Sequence, residues 1–104
     1  GWGPDFADPL TFGELFASWN PNNNGRFINE EYDESVRLAQ SSLDPKTRME
    51  AFARQQEILI EQVALIPNYE RGRVYITDRR LKGVVRRAVG PDPDYTNAYI
   101  TPSP

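Results

Sequence analysis

A mixed α/β piece, three helices packed on a small incomplete sheet, is what this sequence predicts, and three observations predict it. Two Asp-Pro pairs, Asp8-Pro9 and Asp44-Pro45, each open a run with apolar residues at helical spacing. From Met49 to Val63 that spacing persists for about four turns. After Leu65 the composition shifts to β-branched and aromatic residues broken by Gly and Pro.

The elements follow in order. The opening Gly1-Trp2-Gly3-Pro4-Asp5-Phe6 is too irregular for a helix and too aromatic for a linker, so it reads as a strand end or an ordered loop whose rings pack on something. Asp8 then serves as N-cap and Pro9 as first helical residue, where a missing N–H costs nothing. Phe12, Leu15, Phe16 and Trp19 would form the buried stripe of that short helix, with Gly13 a mild weakness, and it ends before Pro21. The run Asn20 to Gly25 supplies turns and left-handed backbone but no apolar anchor; it also lacks the regular carboxylates of a calcium loop.

Asn29 caps a second helix whose inner face is Tyr32, Val36 and Ala39, with Glu30 and Glu31 near its positive end. Asp44 and Pro45 start a third and longest helix, with Met49, Phe52, Ala53, Gln56, Leu59, Ile60 and Val63 as its stripe. Glu57 and Glu61 lie one turn apart on it, and paired carboxylates can do acid-base work; Arg54 beside them makes a solvated charged face the better reading. Beyond Pro67, strands are expected over Tyr69 to Ile76 and Gly83 to Ala88, joined by a turn at Asp78 to Lys82. The tail from Gly90 carries Pro91 and Pro93, which preclude regular helix, and Tyr95, Tyr99 and Ile100, which need a surface to pack on. Asp92 and Asp94 alternate there, a weak calcium signal without a third oxygen cluster.

At 104 residues the chain can hold one modest core. It contains neither cysteine nor histidine, which removes disulfides, thiol nucleophiles, Cys- or His-based metal sites and the commonest general base. No enzyme is expected, and no metal or cofactor. No apolar window is long enough to span a membrane and no signal-peptide pattern is present. The net charge of −3 hides an asymmetry, because seven cations fall between positions 71 and 87: Arg71, Arg73, Arg79, Arg80, Lys82, Arg86 and Arg87. They form a basic face for an anionic partner, a solvated sheet edge protected by cations, or arginines paired with the acidic helices.

Four ordered stretches carry a further signal: GWGPDFADPLTF, NNNGRFINEEYD, the DP-K-x-R-M helix, and IPNYERGRVYI followed by GPDPDY and AYI. Together they resemble the carboxy-terminal part of the bacterial extracellular solute-binding proteins of oligopeptide and dipeptide ABC transporters. The resemblance covers nearly the whole chain and implies a fragment of a much longer protein. It implies part of a periplasmic-binding-protein type II lobe, with residues 1–83 in the second lobe and residues 84–104 returning to the first. It implies binding of extended peptides outside the cell, in the periplasm or on a membrane-anchored lipoprotein, and delivery to a permease, with no chemistry, cofactor or nucleic acid involved. The family's aspartate that can pair with a peptide's free amino terminus falls on Asp5, although its spacing alone favours an Asx-turn residue at the Gly-Pro corner. Trp2 and Phe6 are then candidate pocket or hinge aromatics, and Trp19 with the Asn22 to Asn24 loop, Asn23 foremost, candidate rim residues. The alternative function is a small module binding anionic partners through Arg71 to Arg87. An incomplete sheet also implies self-association through its edges or tail.

Overall fold

The computed structural model describes residues 2–103, so Gly1 of the opening motif and Pro104 of the tail lie outside the described residues. The element order is α1 (Leu10–Gly13), a 3₁₀ turn (Glu14–Phe16), α2 (Glu30–Ser41), α3 (Pro45–Glu61), β1 (Leu81–Lys82) and β2 (Tyr99–Ile100). The mixed α/β class expected from the sequence is what forms. The described residues divide into two compact units, Ala7–Asn68, which holds the helices, and a second made of residues 2–6 with residues 69–103.

In the helical unit, Asp8 accepts a hydrogen bond from the Leu10 amide at 2.9 Å and opens α1 as expected. The helix is shorter than its apolar spacing suggests. After Gly13 it tightens into the 3₁₀ turn, which advances side chains by a third of a turn per residue and rotates the expected stripe out of phase. Phe12 and Trp19 are therefore about half exposed, while Thr11 and Ala17 are buried and Leu10 and Phe16 pack against the core. The α-helical turn ends at Gly13, and a Cβ there would meet the end of the buried Gln55 side chain of α3.

Both later caps form as read. The Asn29 side chain accepts from the Tyr32 amide at 2.9 Å, and Asp44 accepts from the Thr47 amide and hydroxyl at 3.3 and 2.6 Å, with Pro45 leading α3. Tyr32, Val36 and Ala39 all face inward. On α3 the buried set is Ala51, Phe52, Gln55, Ile58 and Leu59. Of the expected stripe only Phe52 and Leu59 belong to it; Ala53 and Gln56 are exposed, as are Met49 at 60%, Ile60 at 57% and Val63. The true stripe is turned by about one position because it takes in Gln55, a polar residue that apolar spacing passes over.

Tyr32 is the centre of this core. Its ring meets Phe16 and Phe27 edge-on, at centroid distances of 6.4 and 5.7 Å, and its hydroxyl donates to the Gly13 carbonyl at 2.5 Å. Burial, and secondarily the adjacent Asp33 carboxylate, push the Tyr32 hydroxyl up, keeping it a donor. Asp33 in turn accepts from the Ser18 amide and hydroxyl at 2.8 and 2.6 Å, fixing the segment after the 3₁₀ turn. Arg48 closes the other end: it forms a fork with Asp8, both bonds 2.9 Å, and its Nε donates to the Ala39 carbonyl at 3.0 Å. Helix α3 stops in a Schellman arrangement, the Ala64 amide bonding the Leu59 carbonyl and the Val63 amide the Ile60 carbonyl. The left-handed residue of that cap is Val63, at φ 53°, where glycine is usual.

In the other unit the strands differ from expectation. The antiparallel ladder joins Leu81 to Ile100 and Lys82 to Tyr99, and a single bridge joins Val85 to Asp94. The turn before it forms, closed by the Leu81 amide on the Asp78 carbonyl at 3.0 Å. Residues 69–76 make no ladder among the described residues, with Val74 91% and Ile76 100% exposed. Extended residues need a neighbouring strand to satisfy their backbone, and propensity alone does not supply one. Gly83, at φ 74°, faces the Asn97 carbonyl so closely that any Cβ would collide with it. The opening segment joins this unit through the Gly90 amide, which donates to the Pro4 carbonyl at 3.3 Å.

Candidate functional site

The five residues singled out by sequence fall in different units. Trp2, Asp5 and Phe6, all exposed, belong with Tyr69–Pro104, whereas Trp19 and Asn23 belong to the helical unit. Within its own unit each of the latter two has structural work. The Arg37 guanidinium lies 4.7 Å from the Trp19 ring centroid and also pairs with Glu34 at 2.9 Å. The Asn23 side chain donates to the carbonyls of Ala17 and Phe27 at 3.2 and 2.8 Å and accepts from the Phe27 amide at 3.0 Å. Its amide thus stitches the loop that delivers Phe27 to the core.

Sequence reasoning missed a polar cluster around Asp92. A cavity of about 460 Å³ is lined by Arg71, Gly72, Arg73, Val74, Tyr75, Asp92 and Pro93. The Asp92 side chain, 6% exposed, accepts from the Tyr75 hydroxyl at 2.7 Å, the Arg87 amide at 2.8 Å and the Arg73 guanidinium at 3.1 Å. These donors, Tyr75 first, hold its carboxyl below the usual aspartate range. Arg86 stacks on the Tyr75 ring with its guanidinium 3.7 Å from the centroid. Asp94 accepts from the Thr96 hydroxyl and amide at 2.6 and 2.9 Å and from Arg87 at 2.7 Å, which pulls it down to about 2. The cue in the sequence was the alternation Arg73, Tyr75 set against Asp92, Asp94.

The cluster changes the reading of two motifs. Asp92 and Asp94 turn toward arginines, hydroxyls and amides, and no group of three or more metal-ligating side chains is found among the described residues. Within their own unit three arginines of the basic strip have carboxylate partners: Arg73 and Arg87 take the tail aspartates, and Arg80 takes Asp78 at 3.0 Å. On α3, Glu57 and Glu61 surround Arg54 at 3.0 and 3.6 Å, and Glu31 of α2 approaches it at 2.7 Å, an exposed ionic patch as expected.

No protein-family model matches the chain. It is 37% identical over 87 residues to the dipeptide-binding protein DppE of Bacillus subtilis, an alignment covering 84% of this chain and 16% of that protein. It is 31% identical to the periplasmic oligopeptide-binding protein OppA of Haemophilus influenzae, covering 96% of this chain and 18% of that one. The crystal structure of the substrate-binding domain of an oligopeptide ABC transporter from Bacillus anthracis superimposes with a TM-score of 0.89 at 37% identity, over 96% of this chain and 20% of the other. The chain therefore spans less than a fifth of the length of these two curated relatives. Sequence and fold agree over nearly all its residues, and along the segment it spans the chain belongs to the family of oligopeptide- and dipeptide-binding proteins of ABC transporters.

Proposed function

We propose that this chain is part of the substrate-binding component of a peptide ABC transporter, one that captures extended oligopeptides or dipeptides outside the cytoplasm and presents them to a permease. The observation that carries this reading is similarity along 96% of the chain to a protein named for oligopeptide binding, joined to a backbone match of the same extent. In the parent protein, residues 1–83 would contribute to one lobe and residues 84–104 return to the other, and hinge closure on the ligand would favour the closed population. Binding and release, with no covalent step, is the activity this reading assigns. The arginine strip has no support as an anion-binding module: the relatives are peptide-binding proteins, and Arg73, Arg80 and Arg87 already have carboxylate partners.

Asp5 is the residue to which this reading gives the ligand's amino terminus. A carboxylate that meets an ammonium in a closing cleft recognises every peptide by the group all peptides share, and ignores the side chains that follow. Trp2 and Phe6, close to it in sequence, would add apolar contact to the same ligand. Calorimetric titration of the intact parent protein tests the assignment. A free tripeptide should bind and its N-acetylated form should bind far more weakly, and Asp5→Asn should weaken the free peptide by about 10- to 100-fold. Equal affinity for both peptides, or an Asp5→Asn protein that binds like the unmodified one, overturns the role of Asp5. Absence of peptide binding overturns the function.

A further inference from the structure

The loop between α1 and α2 contains an arrangement that the peptide-binding reading does not use. Of all the asparagines in the chain, Asn24 alone is followed by glycine. Asn20 and Asn23, its neighbours in the same loop, have their side-chain amides held: Asn20 donates to the Glu14 carbonyl and accepts from the Asn22 amide, and Asn23 is clamped to Ala17 and Phe27. Asn24 is exposed, outside any helix or strand, and its side chain makes no hydrogen bond among the described residues. The Gly25 amide likewise donates to nothing there, and space is open on the side where a Cβ would stand. An unheld side-chain amide next to an unhindered, unbonded backbone N–H leaves both reacting groups unrestrained by hydrogen bonds.

We propose that Asn24-Gly25 is a site of spontaneous deamidation and isoaspartate formation, with water as the only co-reactant. Hydroxide removes the proton from the Gly25 nitrogen, which attacks Cγ of Asn24. The Cγ–Nδ2 bond breaks, ammonia leaves with a proton from water, and a succinimide ring closes. Water then adds to either ring carbonyl, leaving aspartate or isoaspartate at position 24 and one additional negative charge. The isoaspartate product inserts a methylene into the backbone between two sets of bonds. The Asn23 carbonyl accepts from the Arg26 amide at 3.0 Å, and the Asn23 side chain bonds both the amide and the carbonyl of Phe27. Lengthening the chain inside that clamp displaces Phe27 from its edge-on packing against Tyr32. The modification is therefore a timed lesion in the helical unit.

The 104-residue chain, aged at mildly alkaline pH and digested with trypsin, reads this directly in the peptide ending at Arg26. Fragmentation should place the acid at position 24 before any other asparagine reacts, with label accepted by an isoaspartyl carboxyl methyltransferase. Gly25→Ala, for which the loop has room, should slow the reaction by at least about tenfold, a barrier higher by about 1.4 kcal/mol. The purified isoaspartate form should unfold at lower temperature than Asn24→Asp, which carries the same charge without the extra methylene. A different asparagine reacting first, a Gly25→Ala chain reacting as fast as the unmodified one, or a folded chain inert where its urea-unfolded form reacts, overturns the proposal.

Discussion

Residues 7–68 bury Tyr32, Val36 and Ile58 almost completely, whereas in residues 69–103 Tyr69, Val74 and Ile76 stand almost fully in solvent. The apolar content of the two stretches is similar, so composition does not explain the difference. Helices satisfy their backbone internally and need only each other's side chains, which α1, α2 and α3 supply within some sixty residues. Extended chain needs a neighbouring strand for every second backbone group, and among its described residues this unit provides only the two-residue ladder at Leu81 and Ile100 and the bridge at Val85. Its order rests on side-chain clamps, Asp92 on Tyr75 and Arg73, Asp94 on Arg87 and Thr96. One region is held by a core, the other by polar fasteners.

The largest test of that contrast is Ile58→Ala. Emptying a fully buried position of α3 should cost the helical unit about 2–5 kcal/mol, read as a lower midpoint in urea by the helical circular dichroism signal. An unchanged midpoint would show that the cluster around Tyr32 is not what holds the helices.

A smaller effect concerns Asp8. Its carboxyl is held below the usual aspartate range, chiefly by the Arg48 guanidinium and next by the Leu10 amide. A lowered native value means stability that is complete above the ordinary aspartate value of about 3.9 and lost as pH falls through the native one. Asp8→Asn should therefore be less stable than the unmodified chain near neutral pH, and the gap should close in acid. A gap that persists unchanged in acid would assign the loss to packing and not to the ion pair.

The smallest effect has the opposite sign. Val63 sits at φ 53° in the cap of α3, a conformation that a β-branched residue enters only with strain. Val63→Gly should raise stability by about 0.5–1 kcal/mol, the relief of strain exceeding the added freedom of the unfolded chain. A destabilised variant would show that the valine side chain contributes more than its backbone conformation costs.

Much of the helical unit was legible because its signals are local. Asp8, Asn29 and Asp44 each cap the helix start they mark, and Tyr32, Val36 and Ala39 share the face their spacing gives them. The misreadings have one cause. The buried side of α3 includes Gln55, whose side-chain end lies against Gly13 of α1, and neither its burial nor that contact follows from hydropathy, because each answers to the other across the core. In the same way Arg26 and Val63 take left-handed backbone alongside Gly83 and Gly90, while no such value occurs at Gly25. Of the candidate site, the sequence offered Asp5 through a motif, and the proposed function carries it forward; the cluster of Arg73, Tyr75 and Asp92 joins positions up to nineteen apart, and alternation within each stretch does not say that the two meet.

By itself, then, the sequence determined where helices begin, which class of fold they enter, and through its four ordered motifs which family the chain belongs to, because caps, periodicity and motifs act over a few residues. Only the tertiary structure decided which side of α3 is buried, which residues pair as strands, and which aspartates receive the arginines. Those outcomes depend on groups distant in sequence meeting at a few ångströms, and nothing in the local chain encodes the meeting.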